Sequence, residues 1–485
     1  MNHCQQFGLI GSTIWPIFRG ETKKIVPLLV ILFLLSFNQS ILWMLKDSLI
    51  VTISGAETIP FIKVWAILPA AILLTYIFTK LSNRYSQETI FYLLMTAFLL
   101  LYALFAFVMY PYRDQLHPIE SAAYLDQLLP AGFKGLTSMY RHWTLTGFYV
   151  LCELWTTMMV SVLFWRFANE ITEPTEGRRF YSVLSIGYNL AIILAGIVTA
   201  SMTYTPSIPF GNNAWEQTMM LLIVLVIGSG MFAMATFRWM HKNVGMEQGV
   251  QTQKKEPLSL MESLLHVSQS KYLICMAAIV VAYGLVINLV EVVWKDQVKS
   301  LYPAALDYNH YMGNLQMIQG VFALIFAIGL SEGIKRLGWT KVSLVAPILM
   351  LLCTLLFFVI LLFQDRMSTH TLLGISPFVL VVFFGAAQNC IGKACKYSIV
   401  DSTKEMAFIP LSPQSKIKGK TAIDGIGSRL GKSGGAVIHQ SLLIIFTTVS
   451  ASSLYVGIIA LLALLTWIIA ICHLGKKKEL SQFLS

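Results

Sequence analysis

Apolar runs of about 20 residues recur along this chain, and each is long enough to cross a bilayer as an α-helix. The runs continue from residue 26 to residue 472. A soluble chain typically carries about 25% charged residues. This chain of 485 residues carries 12% and is 56% hydrophobic. The sequence therefore predicts an all-α polytopic membrane protein.

We expect about twelve transmembrane helices, with both termini on one side because the number is even. The expected spans are 26–45, 61–79, 90–110, 144–165, 180–203, 217–237, 272–293, 313–331, 342–363, 373–392, 421–449 and 451–472. This arrangement places about three quarters of the 35 Lys and Arg residues on the side of the termini. The positive-inside rule makes that side cytoplasmic. Topology thus explains most of the formal charge of +11, and no nucleic-acid partner is expected.

The spans divide into two sets of six, separated by the polar segment 239–271. A Lys-Asp pair follows the apolar run of the first helix in each set, as Lys46-Asp47 in WMLKDSLI and as Lys295-Asp296 in VVWKDQVK. This repetition favours a duplicated fold. We expect a six-helix half over 1–245 and another over 246–485, arranged around a central cavity as in the major facilitator architecture.

Several chemistries find no support in the motifs. The GKSGG of DGIGSRLGKSGG (424–435) resembles a phosphate-binding loop, but a Walker A motif needs glycine where Ile426 stands. The seven cysteines are scattered without a CxxC pair, so neither a metal site nor a disulfide framework is supported. No cofactor is expected. The nine histidines form no catalytic cluster. A pump with its own ATPase and an integral membrane phosphotransferase are therefore disfavoured.

Ionisable side chains within the spans are the candidate functional residues, because each costs at least ~2.5 kcal/mol near the centre of a bilayer. Four stand out: Lys46, Glu153, Glu291 and Lys432. Lysines from both halves with carboxylates on intervening helices suit a polyanionic substrate. Five aromatic residues near these charges are candidates to stack on a base: Trp43, Trp155, Trp165, Tyr283 and Trp294.

Each position also has a structural alternative. Lys46 and Glu291 stand near the predicted span ends, where side chains can snorkel to the headgroups. Glu153 is deeper and suits a helix–helix hydrogen bond. Lys432 can belong to the positive charges of the cytoplasmic side. We expect Lys63 and Arg166 to be interfacial anchors.

Five segments carry a resemblance to a known family: KDSLIVT (46–52), CELWTTMMVSVLFWRFANEIT (152–172), INLVEVVWKDQVK (287–299), KYSIVDSTKEMAFIPL (396–411) and KGKTAIDGIGSRLGKSGG (418–435). With them the sequence resembles the nucleotide transporters of obligate intracellular bacteria and plastids, the ATP/ADP antiporter family. The resemblance implies a twelve-helix carrier that moves nucleotides without hydrolysing them. It also implies a location in the inner membrane of an intracellular bacterium.

The resemblance implies that four charged residues matter to transport, and they match Lys46, Glu153, Glu291 and Lys432. Secondary candidates in the same segments are Lys295, Asn288, Lys396 and Arg429. The resemblance leaves the substrate open, because the family includes carriers of other nucleotides and proton-driven importers. The stretch IDGIGSRL departs from the ATP/ADP-type pattern at Gly425, Gly427, Ser428 and Arg429. ATP/ADP exchange is the leading hypothesis, and import of another nucleotide or an organic phosphate is the alternative.

Overall fold

The computed structural model describes residues 17–172, 174–202, 211, 213–243, 260–367 and 374–476. Its main elements are twelve long helices, which we number α1 to α12. The first six are α1 (Thr22–Ser54), α2 (Thr58–Arg84), α3 (Gln87–Met109), α4 (Trp143–Ile171), α5 (Pro174–Met202) and α6 (Ala214–Asn243). The second six are α7 (Lys271–Leu301), α8 (Ala305–Leu337), α9 (Trp339–Met367), α10 (Pro377–Phe408), α11 (Thr421–Gly427 continued by Ser428–Phe446) and α12 (Val449–Gly475).

Eleven of these helices, within the described residues, are long and apolar enough to cross a membrane, and α11 is the more polar exception. The fold is thus the predicted polytopic, major-facilitator-like bundle with two six-helix halves. The predicted boundary at 245/246 lies outside the described residues.

Helices α1 and α7 are among those that extend beyond their predicted ends. The prediction placed Lys46 at the end of the first span and Glu291 near the end of the seventh, but α1 continues to Ser54 and α7 to Leu301. The Lys-Asp pairs ended the apolar runs without ending the helices, and three of the four charges, Lys46, Asp47 and Lys295, are neutralised inside the protein. Snorkelling from a helix end is therefore the wrong description of Lys46 and Glu291.

The two halves meet mainly where α8 packs on α5 and α1 and where α11 packs on α2. Glycines permit the first contact, since a Cβ on Gly196 would lie 2.6 Å from the backbone oxygen of Gly313. We call the end of the bundle with Thr22 and Gly475 the terminal face, and the end with Ser54 and Val449 the distal face. At the distal end of α2, Thr58–Phe61 is wholly buried and packs on α11. Nearer the terminal face, Leu68–Arg84 has no buried residue, so the halves are separated there.

The connection 110–142 folds over the distal face in short helices, Arg113–Leu116, Ile119–Leu128, Ala131–Phe133 and Lys134–Arg141. Ser138 Oγ donates a hydrogen bond of 2.9 Å to the Ser54 carbonyl at the end of α1. His142 Nδ1 lies 2.9 Å from Ser54 Oγ. Burial lowers the pKa of His142 from 6.5 to about 4. This segment therefore joins the distal ends of the helices as a folded cap with a neutral histidine.

Candidate functional site

A cavity of about 690 Å³ lies between the two halves. Helices of both halves line it, and it extends along α2 from Lys63 toward Thr79, that is, toward the terminal face. Six basic and three acidic side chains line the cavity: Lys46, Lys63, Lys393, Lys396, Arg429, Lys432, Asp47, Glu153 and Glu291. The excess of positive charge, enclosed by protein of low dielectric constant, attracts anions.

Lys46 is held by two carboxylates at the wall formed by α1 and α4. Its Nζ lies 3.0 Å from Asp47 Oδ1 and 3.0 Å from Glu153 Oε1. The ammonium also lies 3.8 Å from the centre of the Tyr149 ring, where a cation–π contact adds to its stabilisation. Only 4% of the side chain is exposed. Because both carboxylates and the ring surround it, Lys46 is a buried charge with complete compensation.

Asp47 connects the two halves. Its second oxygen, Oδ2, lies 2.8 Å from Nζ of Lys295 on α7, a side chain that is 1% exposed. Next to this pair, Ser48 Oγ donates a hydrogen bond of 3.1 Å to Asn309 Oδ1 on α8. One carboxylate therefore holds a lysine of each half, on the distal side of the cavity.

Glu291 is the second centre of the charge cluster. Its Oε1 lies 3.2 Å from Lys295 Nζ and 3.0 Å from Lys393 Nζ, and its Oε2 lies 3.7 Å from Lys63 Nζ. Lys63 Nζ also donates a hydrogen bond of 2.6 Å to Asn288 Oδ1. Because Lys63 belongs to α2 and Glu291 to α7, this is a second ion pair between the halves.

Two cations on α11 differ from these lysines. Lys432 and Arg429 are exposed to the cavity, and neither forms an ion pair or a hydrogen bond with any described residue. Their spacing of three residues places them on one face of the helix. Lys396 of α10 lies 3.5 Å from an oxygen of Asp401 and 5.6 Å from the centre of the Tyr283 ring. Lys432 and Arg429 are thus the two cations of this wall that no described carboxylate holds.

The structure brings all eight candidate residues to one place. Seven line the cavity: Lys46, Glu153, Glu291, Lys432, Asn288, Lys396 and Arg429. Lys295 lies behind them in contact with Asp47 and Glu291. The prediction was wrong for Lys63, which lies in the cluster and not at a membrane interface.

The residues that sequence reasoning missed are Asp47 and Lys393. Asp47 was visible only as half of a repeated dipeptide. Lys393 lies one helical turn before Lys396 in GKACKYS, and that spacing on one helix face was the available signal. The predicted span ended at residue 392, so Lys393 was counted as a loop charge, whereas α10 continues to Phe408.

Two of the five aromatic candidates, Trp43 and Tyr283, line the cavity. Stacking on a substrate is the wrong expectation for Trp155 and Trp294, which are fully buried. Their indole Nε1 atoms donate to backbone carbonyls of Leu35 and Val382. Trp165 packs edge-on against Phe164 and Tyr181.

A two-half helical bundle around a basic cavity that is closed on one side defines a membrane transporter. The family model described as TLC ATP/ADP transporter matches residues 1–478. This chain belongs to that family. It is 40% identical to "ADP,ATP carrier protein 1" of Chlamydia pneumoniae, over 97% of this chain and 94% of the relative. It is 36% identical to "ADP,ATP carrier protein 1" of Rickettsia prowazekii, over 97% of this chain and 96% of the relative.

Two solved structures share the fold. A bacterial homologue of the iron transporter ferroportin, in an inward-facing state, superposes with a TM-score of 0.60 at 14% identity, over 95% of this chain and 100% of that chain. The nucleoside transporter NupG gives a TM-score of 0.53 at 13% identity, over 93% of this chain and 100% of that chain. At these identities the likeness concerns the fold alone.

Proposed function

We propose that this protein is a nucleotide carrier that exchanges ATP for ADP by alternating access, without hydrolysis. The observation that carries the proposal is the cavity between the halves, where six basic side chains converge with only three carboxylates. Phosphate groups are the anions that such a set of lysines and an arginine binds. The names of the relatives, ADP,ATP carrier proteins, support adenine nucleotides as the substrates.

We assign the phosphates to the lysines of both halves, with Lys46 and Lys295 at the distal side and Lys432 at the terminal side. In the empty carrier, Asp47, Glu153 and Glu291 neutralise the buried lysines, because a buried charge without a partner is strongly destabilising. Phosphate oxygens replace those carboxylates when the nucleotide enters. Lys432 and Arg429 give the first contact, since neither has to leave a carboxylate of the described protein.

The ion pairs between the halves favour exchange over uniport. Asp47 with Lys295 and Lys63 with Glu291 join the halves on the closed side of the cavity. Opening that side without substrate separates these buried charges, which raises the barrier to reorientation of the empty carrier. A bound nucleotide supplies other partners for the same lysines, so its binding is coupled to the change of state.

We place the terminal face in the cytoplasm, since the positive-inside rule assigns the termini to that side. The cavity described above then faces the cytoplasm. Relatives in Chlamydia and Rickettsia support the inner membrane of an intracellular bacterium. There, the exchange takes host ATP in and returns ADP, and the two concentration gradients drive it with no hydrolysis of the bound nucleotide.

Uptake of labelled ATP into proteoliposomes tests this proposal. We expect uptake to require ADP inside the vesicles, to be blocked by external ADP, and to be insensitive to a proton uncoupler. Uptake into empty vesicles that an uncoupler abolishes would contradict exchange and favour a proton-driven importer. Release of inorganic phosphate in step with uptake would contradict transport without hydrolysis.

A further inference from the structure

The cavity has a second, uncharged wall, formed by α1, α5 and α8. Its residues are Gln39, Ser40, Tyr188, Ile192, Gln316 and Gln319. The cavity-lining residues of α5 and α8 include no charged side chain. This wall therefore differs in chemistry from the cluster that holds the lysines.

Three glutamine side chains of this wall make few or no hydrogen bonds with the described residues. Gln39 is 3% exposed, donates one long hydrogen bond of 3.5 Å to Tyr188 Oη, and has no described partner for its buried Oε1. Gln316 and Gln319 are 8% and 9% exposed and open to the cavity, and neither forms a hydrogen bond with a described residue. Leaving Gln39 Oε1 buried without a hydrogen bond is costly. This oxygen and the two amides open to the cavity point to a ligand that supplies their hydrogen bonds.

The order of side chains along α1 indicates how such a ligand lies. Gln39 and Lys46 both line the cavity, and their spacing of seven residues corresponds to roughly 10 Å along the same helix face. Trp43 lies between them and also lines the cavity, with a buried Nε1 that has no described hydrogen-bond partner. One helix therefore presents an amide, then a flat indole, then a charge.

We propose that Gln39, Gln316 and Gln319 form the binding site for the nucleobase of the carried nucleotide, with adenine as the preferred base. The proposal deepens the proposed function and rests on it. A glutamine amide offers one donor and one acceptor side by side, which matches the N6 and N7 edge of adenine. The indole of Trp43 provides an apolar surface on which a base stacks, as aromatic side chains do in other nucleotide sites. Guanine presents two acceptors at the corresponding edge, so this amide pairing discriminates against it.

The test is inhibition of labelled ATP uptake by ATP, GTP and inorganic tripolyphosphate, a probe with phosphates but no base. For Gln316→Leu and Gln319→Leu, we expect the ATP concentration for half inhibition to rise about fivefold to tenfold, the effect of losing one hydrogen bond in the site. The preference for ATP over GTP decreases, and inhibition by tripolyphosphate stays unchanged. Gln440→Leu is the matched control, because Gln440 is 9% exposed on α11 and outside the cavity lining.

Other results would overturn the assignment of the base. They are an equal rise for ATP and tripolyphosphate, no rise for either, or a wild type that tripolyphosphate inhibits as strongly as ATP does. If the leucine variants do not reach the membrane, Gln316→Asn and Gln319→Asn shorten each amide by one methylene and give the same comparison. A wild-type protein that neither ATP nor tripolyphosphate inhibits would instead remove the proposed function itself.

Discussion

Lys46 and Lys432 both line the cavity, but the protein surrounds them differently. Lys46 is enclosed by Asp47, Glu153 and the Tyr149 ring. Lys432 is open to the cavity near another cation, Arg429. Because the first is compensated by the protein and the second is not, their substitutions separate stability from substrate binding.

We predict that Lys46→Gln reduces both transport and stability. The substitution leaves Glu153 and Asp47 with less positive charge nearby, and breaking a buried ion pair lowers the free energy of unfolding by about 3 kcal/mol or more. Thermal unfolding of the purified protein and ATP uptake measure the two effects. Glu120→Gln is the control, since Glu120 is an exposed carboxylate on the distal cap. A Lys46→Gln protein as stable as wild type would refute the structural part of this account.

We predict that Lys432→Gln and Arg429→Gln each weaken ATP binding without lowering stability. Each removes a charge that has no described partner, so the thermal midpoint stays unchanged or rises as repulsion between like charges decreases. Binding of ATP weakens about tenfold or more, because a hydrogen bond to a charged group contributes about 1.5–3 kcal/mol. Lys420→Gln is the control, since Lys420 pairs with Glu405 outside the cavity. Unchanged ATP affinity in both variants would remove α11 from the phosphate site.

The sequence predicted which charged residues form the site better than it predicted which of them form ion pairs. Intramembrane charges are costly, so Lys46, Glu153 and Glu291 were conspicuous in apolar surroundings. Lys63 was equally visible, but its position near a span end favoured an interfacial anchor. Its partner Glu291 is 228 residues away in the chain, and no local pattern indicates a contact of that range. The pairing through Asp47 was hidden for the same reason.

At the scale of elements, close packing of α7 on α11 positions the cluster. Gly284 and Gly431 face each other there, and a Cβ on Gly431 would lie 2.9 Å from the Val281 carbonyl oxygen and 3.1 Å from the Gly284 Cα. A Cβ on Gly434, one turn further along α11, would meet nothing within 4 Å. Gly431 and Gly434 thus give a packed and an open site on the same helix at which alanine can be compared.

We predict that Gly431→Ala lowers the free energy of unfolding by about 1–3 kcal/mol, the usual cost of overpacking. Gly434→Ala should leave stability unchanged or raise it slightly, because alanine favours helix more than glycine does. Thermal unfolding in detergent compares the two variants. Gly431→Ala should also slow uptake, since α7 carries Glu291 and Lys295. Equal midpoints for the two variants would contradict the close contact between these helices.

The distal cap gives a prediction about pH. Because burial lowers the pKa of His142 to about 4 in the folded protein, the unfolded chain binds a proton more readily. Stability therefore decreases as the pH falls from about 6.5 to about 4, and His142 causes no loss of stability above about pH 6.5. Ser54, His117 and Arg141 surround the ring, and none of them is a carboxylate that would stabilise the imidazolium.

The comparison is the thermal midpoint at pH 7.5 and pH 5 for the wild type and for His142→Gln, which keeps a polar group toward Ser54. Between pH 7.5 and pH 5, we expect the thermal midpoint to fall less in the variant than in the wild type. His241→Gln is the control, because His241 lies 3.0 Å from a carboxylate oxygen of Glu88 and lies outside the cap. An identical acid dependence in wild type and His142→Gln would show that this histidine does not titrate as described.

Helix positions followed from the apolar runs, but helix ends did not. Membrane insertion requires about 20 apolar residues per span, and that requirement located eleven of the described helices, whereas α11 is more polar. The Lys-Asp pairs ended the apolar signal in α1 and α7, although both helices continue. The two Lys-Asp pairs also differ in their contacts. Asp47 pairs with lysines of both halves, whereas the Asp296 carboxylate accepts a hydrogen bond of 3.5 Å from Gln297 Nε2 and pairs with no lysine of the described residues.

For the whole molecule, the position of the opening gives the transport state. The halves are joined at the distal face by the Asp47–Lys295 pair and by the cap, which bonds Ser54 of α1 and packs at Gly132 on Ile444 of α11. They separate toward the terminal face along Leu68–Arg84 of α2. One sequence forms both the inward-open and the outward-open state of an alternating-access carrier, so the sequence alone does not predict which state the structure adopts. The contacts described here belong to the state that is open toward the termini.

The most direct test of the central claim is a double-label exchange in one set of proteoliposomes. Tritiated ATP is supplied outside and carbon-14-labelled ADP is loaded inside, and both fluxes are followed over the same period. We predict that one ADP is released for each ATP taken up, with neither flux in the absence of the other nucleotide and none for Glu291→Gln. ATP uptake that continues without ADP release would contradict it, because the ion pairs between the halves would then be no barrier to return of the empty carrier.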